Sequence, residues 1–273
     1  MKLFITQNSF LSVSRGILKA KGRGECRIPL KELEGIGLFV NLRSFKTSIL
    51  PKLREKGIYA FSVLPEKGLE LFSFPELSPF NLSVLSSYLF IELKAKAVAS
   101  ALKGIGTLSG SSLEVKPFVS DALRVLREVG GIKGSFEVKS LNGYLDKALY
   151  GYLLRKLEYA PFPSKDKEPY FVSLVLYYRE VVKGLLGFVL LKEGIKIERE
   201  LQELLGSLLE PFVAFKSADA LFSTLLLPED FRKRGGKLFL KSSAVSVAVK
   251  AFIEGFFSTQ TLMPVILYLR ESR

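Results

Sequence analysis

The hydrophobic pattern of this chain changes once, at a stiff segment that contains two prolines. Before this segment, apolar residues occur in short alternating runs between turn-forming residues, which is typical of β-strands. The segment Phe74–Phe80 fits neither period, because its prolines fix the backbone and remove amide donors. After it, apolar residues recur with helical spacing almost to the end of the chain. The sequence therefore predicts an α+β protein with a β-rich domain over residues 1–73, a linker over 74–82 and a helical domain over 83–273.

Within the first part, seven apolar runs are strand candidates. They are Leu3–Ile5, Leu11–Val13, Ile17–Ala20, Cys26–Ile28, Ile36–Val40, Ile58–Leu64 and Leu69–Phe72. Gly22-Arg23-Gly24 lies where a hairpin is expected to reverse, because glycine adopts positive φ without steric cost. Phe45–Lys56 has helical spacing, and Gly57 follows it as a C-terminal cap.

Within the second part, five segments are predicted to be helices: Val84–Leu102, Val119–Val129, Leu141–Leu157, Phe171–Leu191 and Glu198–Leu209. A flexible loop is expected over Gly104–Ser112, and Pro161–Pro169 is predicted to be a charged loop. The most apolar helix contains Arg179, Glu180 and Lys183, which favours a buried soluble helix over a membrane span. No convincing export signal precedes the first strand. We therefore expect a soluble protein with no membrane partner.

The composition excludes several kinds of chemistry. The chain has no histidine and one cysteine, so a Ser-His-Asp or Cys-His nucleophile and a histidine-ligated metal are impossible. Cys26 alone cannot form an internal disulfide, which favours a reducing, cytoplasmic compartment. No glycine pattern matches a dinucleotide-binding or P-loop motif. Only three glutamines and four asparagines occur, and this depletion of thermolabile amides predicts a thermophilic source.

A formal net charge of +13 points to a polyanionic partner, either nucleic acid or an anionic membrane surface. The positive side chains form three clusters. They are Arg232, Lys233, Arg234 and Lys237; Arg155 and Lys156 with Lys165 and Lys167; and Lys19, Lys21, Arg23 and Arg27. Any one cluster taken alone is better explained by a solvated surface, but the three together favour nucleic acid, and DNA is the predicted partner.

One helix presents acidic and apolar residues on opposite faces. Its apolar face is formed by Leu201, Leu204, Leu205, Leu208, Leu209 and Phe212. Glu203, Ser207 and Glu210 line the other face. Two acids three residues apart can share a divalent cation, but Ser207 occupies the first of those positions and leaves only Glu210. From spacing alone, we expect Glu210 to lie on a solvated helix face.

Six segments of the chain, taken in order, resemble parts of one known family. They are Ile28–Asn41, Leu53–Ile58, Leu141–Tyr152 (with Asn142, Gly143 and Ala148), Leu209–Phe212, Leu227–Phe231 and Gly235–Leu240. Together they resemble the universal CRISPR adaptation integrase, and the resemblance covers nearly the whole chain.

The resemblance implies an N-terminal β-sandwich-like domain that dimerises, followed by a helical catalytic domain. Such proteins bind short DNA fragments and insert them into a CRISPR array by metal-dependent transesterification. A small dimeric companion of ferredoxin-like fold bridges two integrase dimers. The family's metal ion is held by a glutamate, a histidine and a second acid.

This chain departs from the family at those ligands. The glutamate position, two residues after the glycine of the Leu-x-Gly motif, is Leu145, which also falls on an apolar helical stripe. The histidine is missing, Glu210 matches the third ligand, and the acid that usually precedes it by three is Ser207. Asp146 is adjacent to the lost glutamate, but one residue is a rotation of about 100° on a helix, so we expect it to point elsewhere.

Three hypotheses follow. The first is a DNA-binding, architectural homologue without catalysis or a cofactor, acting as a homodimer or paired with an active paralogue and the small dimeric adaptation protein. The second is an active nuclease or integrase that uses Mg²⁺ or Mn²⁺ through relocated ligands, namely Glu210, Asp146 and Glu203. The third is a scaffold with no nucleic-acid role, whose charge serves solubility.

Overall fold

The computed structural model describes residues 3–6, 10–21, 25–39, 49–73, 87–108, 135–195 and 199–258. Strands occupy the N-terminal part of these ranges and helices dominate the C-terminal part, which confirms the predicted α+β class. The predicted linker over 74–82, the helix Val119–Val129 and the turn Gly22–Gly24 lie outside the described residues. None of the helices in the described ranges combines the length and the apolar character that a membrane span requires.

The N-terminal part contains two sheets. Its elements are β1 (Leu3–Thr6), β2 (Phe10–Ser14), β3 (Ile17–Lys21), β4 (Glu25–Pro29), a 3-10 turn (Leu30–Glu32), β5 (Gly35–Leu38), α1 (Leu50–Glu55), β6 (Tyr59–Leu64) and β7 (Gly68–Ser73). Strands β2-β3-β4 form an antiparallel sheet, and β1-β5-β6-β7 form a mixed sheet in which the first three strands are parallel. Leu18 of β3, Ile36 of β5 and Leu53 of α1 belong to one buried cluster, so both sheets share a core.

The C-terminal part consists of long helices and one hairpin. Its elements are α2 (Ser87–Leu108), α3 (Ser135–Leu157), α4 (Glu168–Lys192), α5 (Arg199–Phe222), a 3-10 turn (Pro228–Asp230), β8 (Phe231–Arg234), β9 (Lys237–Leu240) and α6 (Val245–Ser258). The prediction of a loop from Gly104 onward is wrong as far as Leu108, because α2 continues to that residue. Gly104 lies within the helix and packs against Phe215. Helix α5 also runs past its predicted end at Leu209 and contains Pro211.

The β8–β9 hairpin interrupts a region that the sequence predicts to be helical throughout. Gly235 and Gly236 have φ angles of 54° and 76°, the left-handed values that a two-residue hairpin turn requires. Phe231 and Leu240 are paired across the strands and buried, which anchors the hairpin to the helical core. The strands were missed because each has four residues, and the helical period of the surrounding sequence dominates so short a window.

Helix α4 lies directly against the mixed sheet. The ring of Phe61 on β6 packs over Gly184, where an added Cβ would lie 2.5 Å from ring carbons. The Tyr59 hydroxyl donates a hydrogen bond to the carbonyl of Gly184 at 3.1 Å. Gly35 on β5 accommodates Phe188 in the same way. These contacts fix α4 on the sheet and thereby place its polar residues, Arg179 and Lys183, beside α5.

We expect Gly184→Ala to lower the free energy of unfolding by about 1–3 kcal/mol, because the new methyl group would lie 2.5 Å from carbons of the fully buried ring of Phe61. Gly143→Ala is the matched control. Gly143 also lies in a helix, but its added Cβ meets nothing within 4 Å. The control should be stabilised by up to about 1 kcal/mol through helix propensity. Urea unfolding measures both variants, and a Gly184→Ala protein as stable as wild type would contradict the described packing.

Candidate functional site

A pocket of about 270 Å³ lies where α3, α4 and α5 meet. Its polar lining consists of Asp146, Arg179, Lys183, Glu203, Ser207 and Glu210. Three carboxylates and two cationic side chains therefore surround one small volume. Val182, Gly206 and Val213 complete the wall, and the two valines belong to the helical core.

Glu210 is buried in this pocket and bound by a guanidinium group. Arg179 donates from Nε to Glu210 Oε2 at 2.9 Å and from Nη2 to Oε1 at 2.5 Å. The hydroxyl of Tyr150 donates to the same Oε1. Burial opposes the charge of Arg179, but hydrogen bonding to Glu210 holds its pKa above the ordinary value. The solvated position expected for Glu210 is therefore wrong, since α4 covers that face of α5.

A second cation, Lys94, enters the site from α2. Its side chain is completely buried, and its ammonium nitrogen lies 2.8 Å from Asp146 Oδ1. It also donates to the carbonyl oxygen of Ser207. That carbonyl needs a donor, because the residue four positions later is Pro211, which has no N–H to continue the helical ladder. Lys94 thus satisfies a backbone acceptor and a carboxylate with one side chain.

The Lys94–Asp146 pair carries a desolvation cost. Burial lowers the pKa of Lys94, and the charge of Asp146 opposes that shift. Burial likewise raises the pKa of the Asp146 carboxyl, while Lys94 acts to lower it. In both groups desolvation is the larger effect. The pair is therefore held together by the surrounding fold and depends on both partners being present.

Asp146 points in a different direction from Leu145, as the rotation between neighbouring residues predicts, and this direction brings it to the pocket of Glu210. Asp146 and Glu210 line the same pocket, and Tyr150, one turn beyond Asp146 on α3, contacts Glu210 directly. Leu145 is fully buried among the helices, so the rotation of 100° between neighbours does separate the two side chains. As a result, Leu145 lies in the core, whereas Asp146 lies at its border and pairs with Lys94.

These side chains do not fit the divalent cation that the sequence resemblance implies. Leu145 offers no ligand atom, and Glu210 already accepts four hydrogen bonds from Arg179 and Tyr150. An ammonium group lies on Asp146 and on the carbonyl of Ser207. In the described part of the chain, no three His, Cys, Asp or Glu residues are grouped so as to hold a metal ion. Mg²⁺ and Mn²⁺ require several free oxygen ligands, and here positive charges occupy them.

Sequence reasoning missed Lys94, Tyr150 and Arg179 as members of this site. Lys94 did carry a signal: it falls in the helical stripe Phe90, Lys94, Ala97, Ala101, whose members are all buried. A lysine at a core position of a helix requires a buried partner. Arg179 carried a similar signal, since it interrupts the longest apolar run of the chain.

The basic cluster at the C-terminal hairpin is exposed. Arg232, Lys233, Arg234 and Lys237 lie along β8 and β9. Glu66, from the turn between β6 and β7, pairs with Arg232 and Arg234, each at 2.7 Å. Among the described residues, no carboxylate pairs with Lys233 or Lys237.

The second basic cluster, at the end of α3 and in the following loop, differs in exposure from residue to residue. Arg155 is exposed and Lys156 half-buried at the end of α3, and Lys165 is exposed in the loop that follows. Lys167 instead donates to the carbonyls of Glu158 and Ala160, at 2.9 and 2.5 Å. Its charge therefore caps the C-terminal end of α3. In the third group, Arg23 lies outside the described residues, and Arg27 pairs with Glu25 at 2.6 Å.

No protein-family model and no curated protein sequence matches the chain. Solved structures do match its fold. A CAS1 protein from Thermotoga maritima has a TM-score of 0.64 at 12% identity, with 99% of this chain and 94% of that chain covered. A casposase bound to an integration product has a TM-score of 0.66 at 14% identity, covering 93% and 82%. A TtCas1–DNA complex has a TM-score of 0.54 at 10% identity, covering 99% and 89%. The chain therefore has the fold of CRISPR adaptation integrases and casposases, which confirms the fold that the sequence resemblance implies.

Proposed function

We propose that this protein is a DNA-binding homologue of the CRISPR adaptation integrases that has an architectural role and no metal-dependent catalysis of its own. One observation carries the proposal: the cationic groups of Lys94 and Arg179 bind Asp146 and Glu210, the carboxylates that a metal ion would need. DNA as the partner is supported by the net charge of +13 and by the exposed basic hairpin. Two of the structures that share the fold contain a DNA complex or an integration product.

The loss of catalysis follows from the chemistry of the site. Strand transfer by a metal-dependent mechanism needs a cation that polarises a phosphoryl oxygen and orients the attacking group. A metal ion entering this pocket would have to displace a guanidinium group that makes three hydrogen bonds to Glu210. The side chains of Lys94 and Arg179 neutralise the carboxylates as a metal ion would. Unlike a metal ion, they have no open coordination position at which a substrate could bind.

An integration assay with Mn²⁺ and a pre-processed DNA fragment tests this directly. The purified wild-type protein is expected to give no strand transfer above the protein-free background. Glu210→Ala and the exposed-carboxylate control Glu229→Ala should give the same background. Strand transfer that Glu210→Ala abolishes and Glu229→Ala preserves would overturn the proposal.

DNA binding is expected to weaken steeply with added salt, because phosphate contacts release counterions. Lys237→Ala should reduce the slope of log affinity against log salt by about 1, since it removes one phosphate contact. Lys250→Ala is the matched control, because Lys250 is exposed on α6 and lies 4.0 Å from Glu254. Fluorescence anisotropy with a labelled duplex measures both. Binding that does not respond to salt would favour the alternative in which the charge serves solubility alone.

The proposed assembly is a homodimer or a pair with an active paralogue, joined by the small dimeric adaptation protein. This follows from the dimerising role that the sequence resemblance implies for the N-terminal domain. Co-purification with an intact paralogue encoded nearby tests it, and a monomer that captures no such paralogue would contradict it.

A second candidate function, an active nuclease or integrase with relocated ligands, is favoured by one observation. Asp146, Glu203 and Glu210 line the same pocket. Metal titration separates the two candidates, because the active alternative requires saturable Mn²⁺ binding by the wild-type protein that Glu210→Ala removes.

A further inference from the structure

The outer face of the β8–β9 hairpin combines three cationic side chains. Arg232 and Arg234 are two residues apart on β8 and therefore project to the same side of the strand. Lys237 is paired with Arg234 across the hairpin, so it shares that side. The opposite side carries Phe231 and Leu240, which are buried. By the same alternation Phe239 lies on the side of the arginines and Lys233 on the side of the anchor, so three of the four cations share the outer face.

One carboxylate lies against this face. Glu66 places Oε1 2.7 Å from Arg232 Nη2 and Oε2 2.7 Å from Arg234 Nη1. The Glu66 side chain is 21% exposed, whereas those of Arg232 and Arg234 are 49% and 75% exposed. Each arginine contacts Glu66 through one nitrogen, and no described residue accepts a hydrogen bond from the others. Most of the guanidinium donors therefore face solvent.

We infer that the outer face of this hairpin binds the phosphate backbone of DNA, and that Glu66 is a built-in competitor that occupies the place of a phosphate. The inference rests on the proposed DNA-binding function. Glu66 offers one carboxylate oxygen to each arginine, and a phosphate also carries two anionic oxygens, so a phosphate can take the place of Glu66 between the same two donors. Ion pairs as exposed as these contribute little, so a DNA phosphate can exchange with Glu66.

If Glu66 competes with DNA, removing its charge should increase the affinity for DNA. With Glu66 in place, the face carries three cations and one anion. Its removal leaves three unpaired cations, each available to a phosphate. The other role open to Glu66 is positioning, in which it holds the two arginines in the geometry that DNA requires. The two roles predict opposite changes in affinity, because a positioning residue helps binding and a competitor weakens it.

The experiment compares Glu66→Gln, Glu66→Ala and Glu229→Gln with wild type, using anisotropy of a short labelled DNA duplex over a range of salt concentrations. Glu229→Gln is the matched control. It raises the net charge by the same amount on an exposed residue close to the hairpin, without touching an arginine ion pair. Both Glu66 variants are expected to bind about three- to tenfold more tightly at low salt, with a slope steeper by about 1. The control should change affinity by less than about twofold.

A gain that disappears in Glu66→Gln combined with Arg232→Ala and Arg234→Ala would support exchange at this face. Glu66 variants that bind no better than Glu229→Gln, or more weakly than wild type, would overturn the inference while leaving the proposed DNA-binding function intact. Absence of salt-sensitive DNA binding in wild type and in every variant would instead overturn the proposed function, and this inference with it.

Discussion

Replacing Asp146 with alanine is expected to lower the free energy of unfolding by about 3 kcal/mol, the lower end of the range for breaking a buried ion pair. The substitution leaves the ammonium group of Lys94 completely buried with one backbone carbonyl as its partner. Asp146 itself is 26% exposed, so its own removal costs little. The loss arises because Lys94 must either remain charged without a counterion or release its proton, in the direction in which burial already moves its pKa.

The double variant Lys94→Met with Asp146→Leu separates this effect from a simple loss of packing. It removes both charges together, so its stability should return to within about 1–2 kcal/mol of wild type, limited by the loss of the hydrogen bond from Lys94 to the carbonyl of Ser207. Glu254→Ala is the surface control, since it breaks an exposed pair with Lys250 and should change stability by about 0.5 kcal/mol or less. Urea unfolding at neutral pH measures all three. An Asp146→Ala protein that matches Glu254→Ala would show that Lys94 and Asp146 do not form a coupled pair.

The sequence predicted most strands and helices because hydrophobic periodicity and turn residues act within a few positions of one another. The seven strands follow the alternating runs, and Gly57 ends the first helix with a positive φ of 62°. The β8–β9 hairpin was missed although Gly235 and Gly236 are a strong turn signal, because the surrounding helical period dominates windows as short as its two strands. Whether a long segment forms a helix can be read from its own hydrophobic period. A short strand such as β8 also depends on contacts with the core, here those of the buried Phe231.

The candidate site was less predictable because its chemistry comes from residues on different helices. Spacing on α5 identified Glu210 correctly as a polar residue opposite the apolar stripe, but it could not show that α4 would place Arg179 there. The role of Lys94 required two facts from separate elements: a lysine in the buried stripe of α2, and a carbonyl on α5 whose position four residues before Pro211 removes the usual helical N–H donor. Each fact is visible in the sequence, but only the tertiary packing brings them together.

Removing both internal cations is expected to create a metal site that the wild-type protein lacks. In the double variant Lys94→Met with Arg179→Met, the carboxylates of Asp146 and Glu210 and the carbonyl of Ser207 lose their cationic partners. Buried carboxylates without a counterion are unfavourable, so the variant should be less stable than wild type in the absence of metal. Three freed oxygen ligand groups should bind Mn²⁺ with a dissociation constant on the order of 10⁻⁴–10⁻³ M.

The free energy of unfolding should therefore depend on Mn²⁺ in the double variant and not in wild type. At a Mn²⁺ concentration 100 times its dissociation constant, binding to the native state should raise the free energy of unfolding by about 2.7 kcal/mol. Wild type should show no comparable response, since Lys94 and Arg179 already neutralise the same oxygens. Lys183→Met is the matched control: it removes a cation at the pocket wall that pairs with Glu180, so it frees neither Asp146 nor Glu210. Thermal unfolding with and without Mn²⁺ measures all three proteins. Equal responses in the double variant and in Lys183→Met would show that the fixed cations are not what excludes metal. A response confined to the double variant would identify Lys94 and Arg179 as the groups that occupy the metal's place.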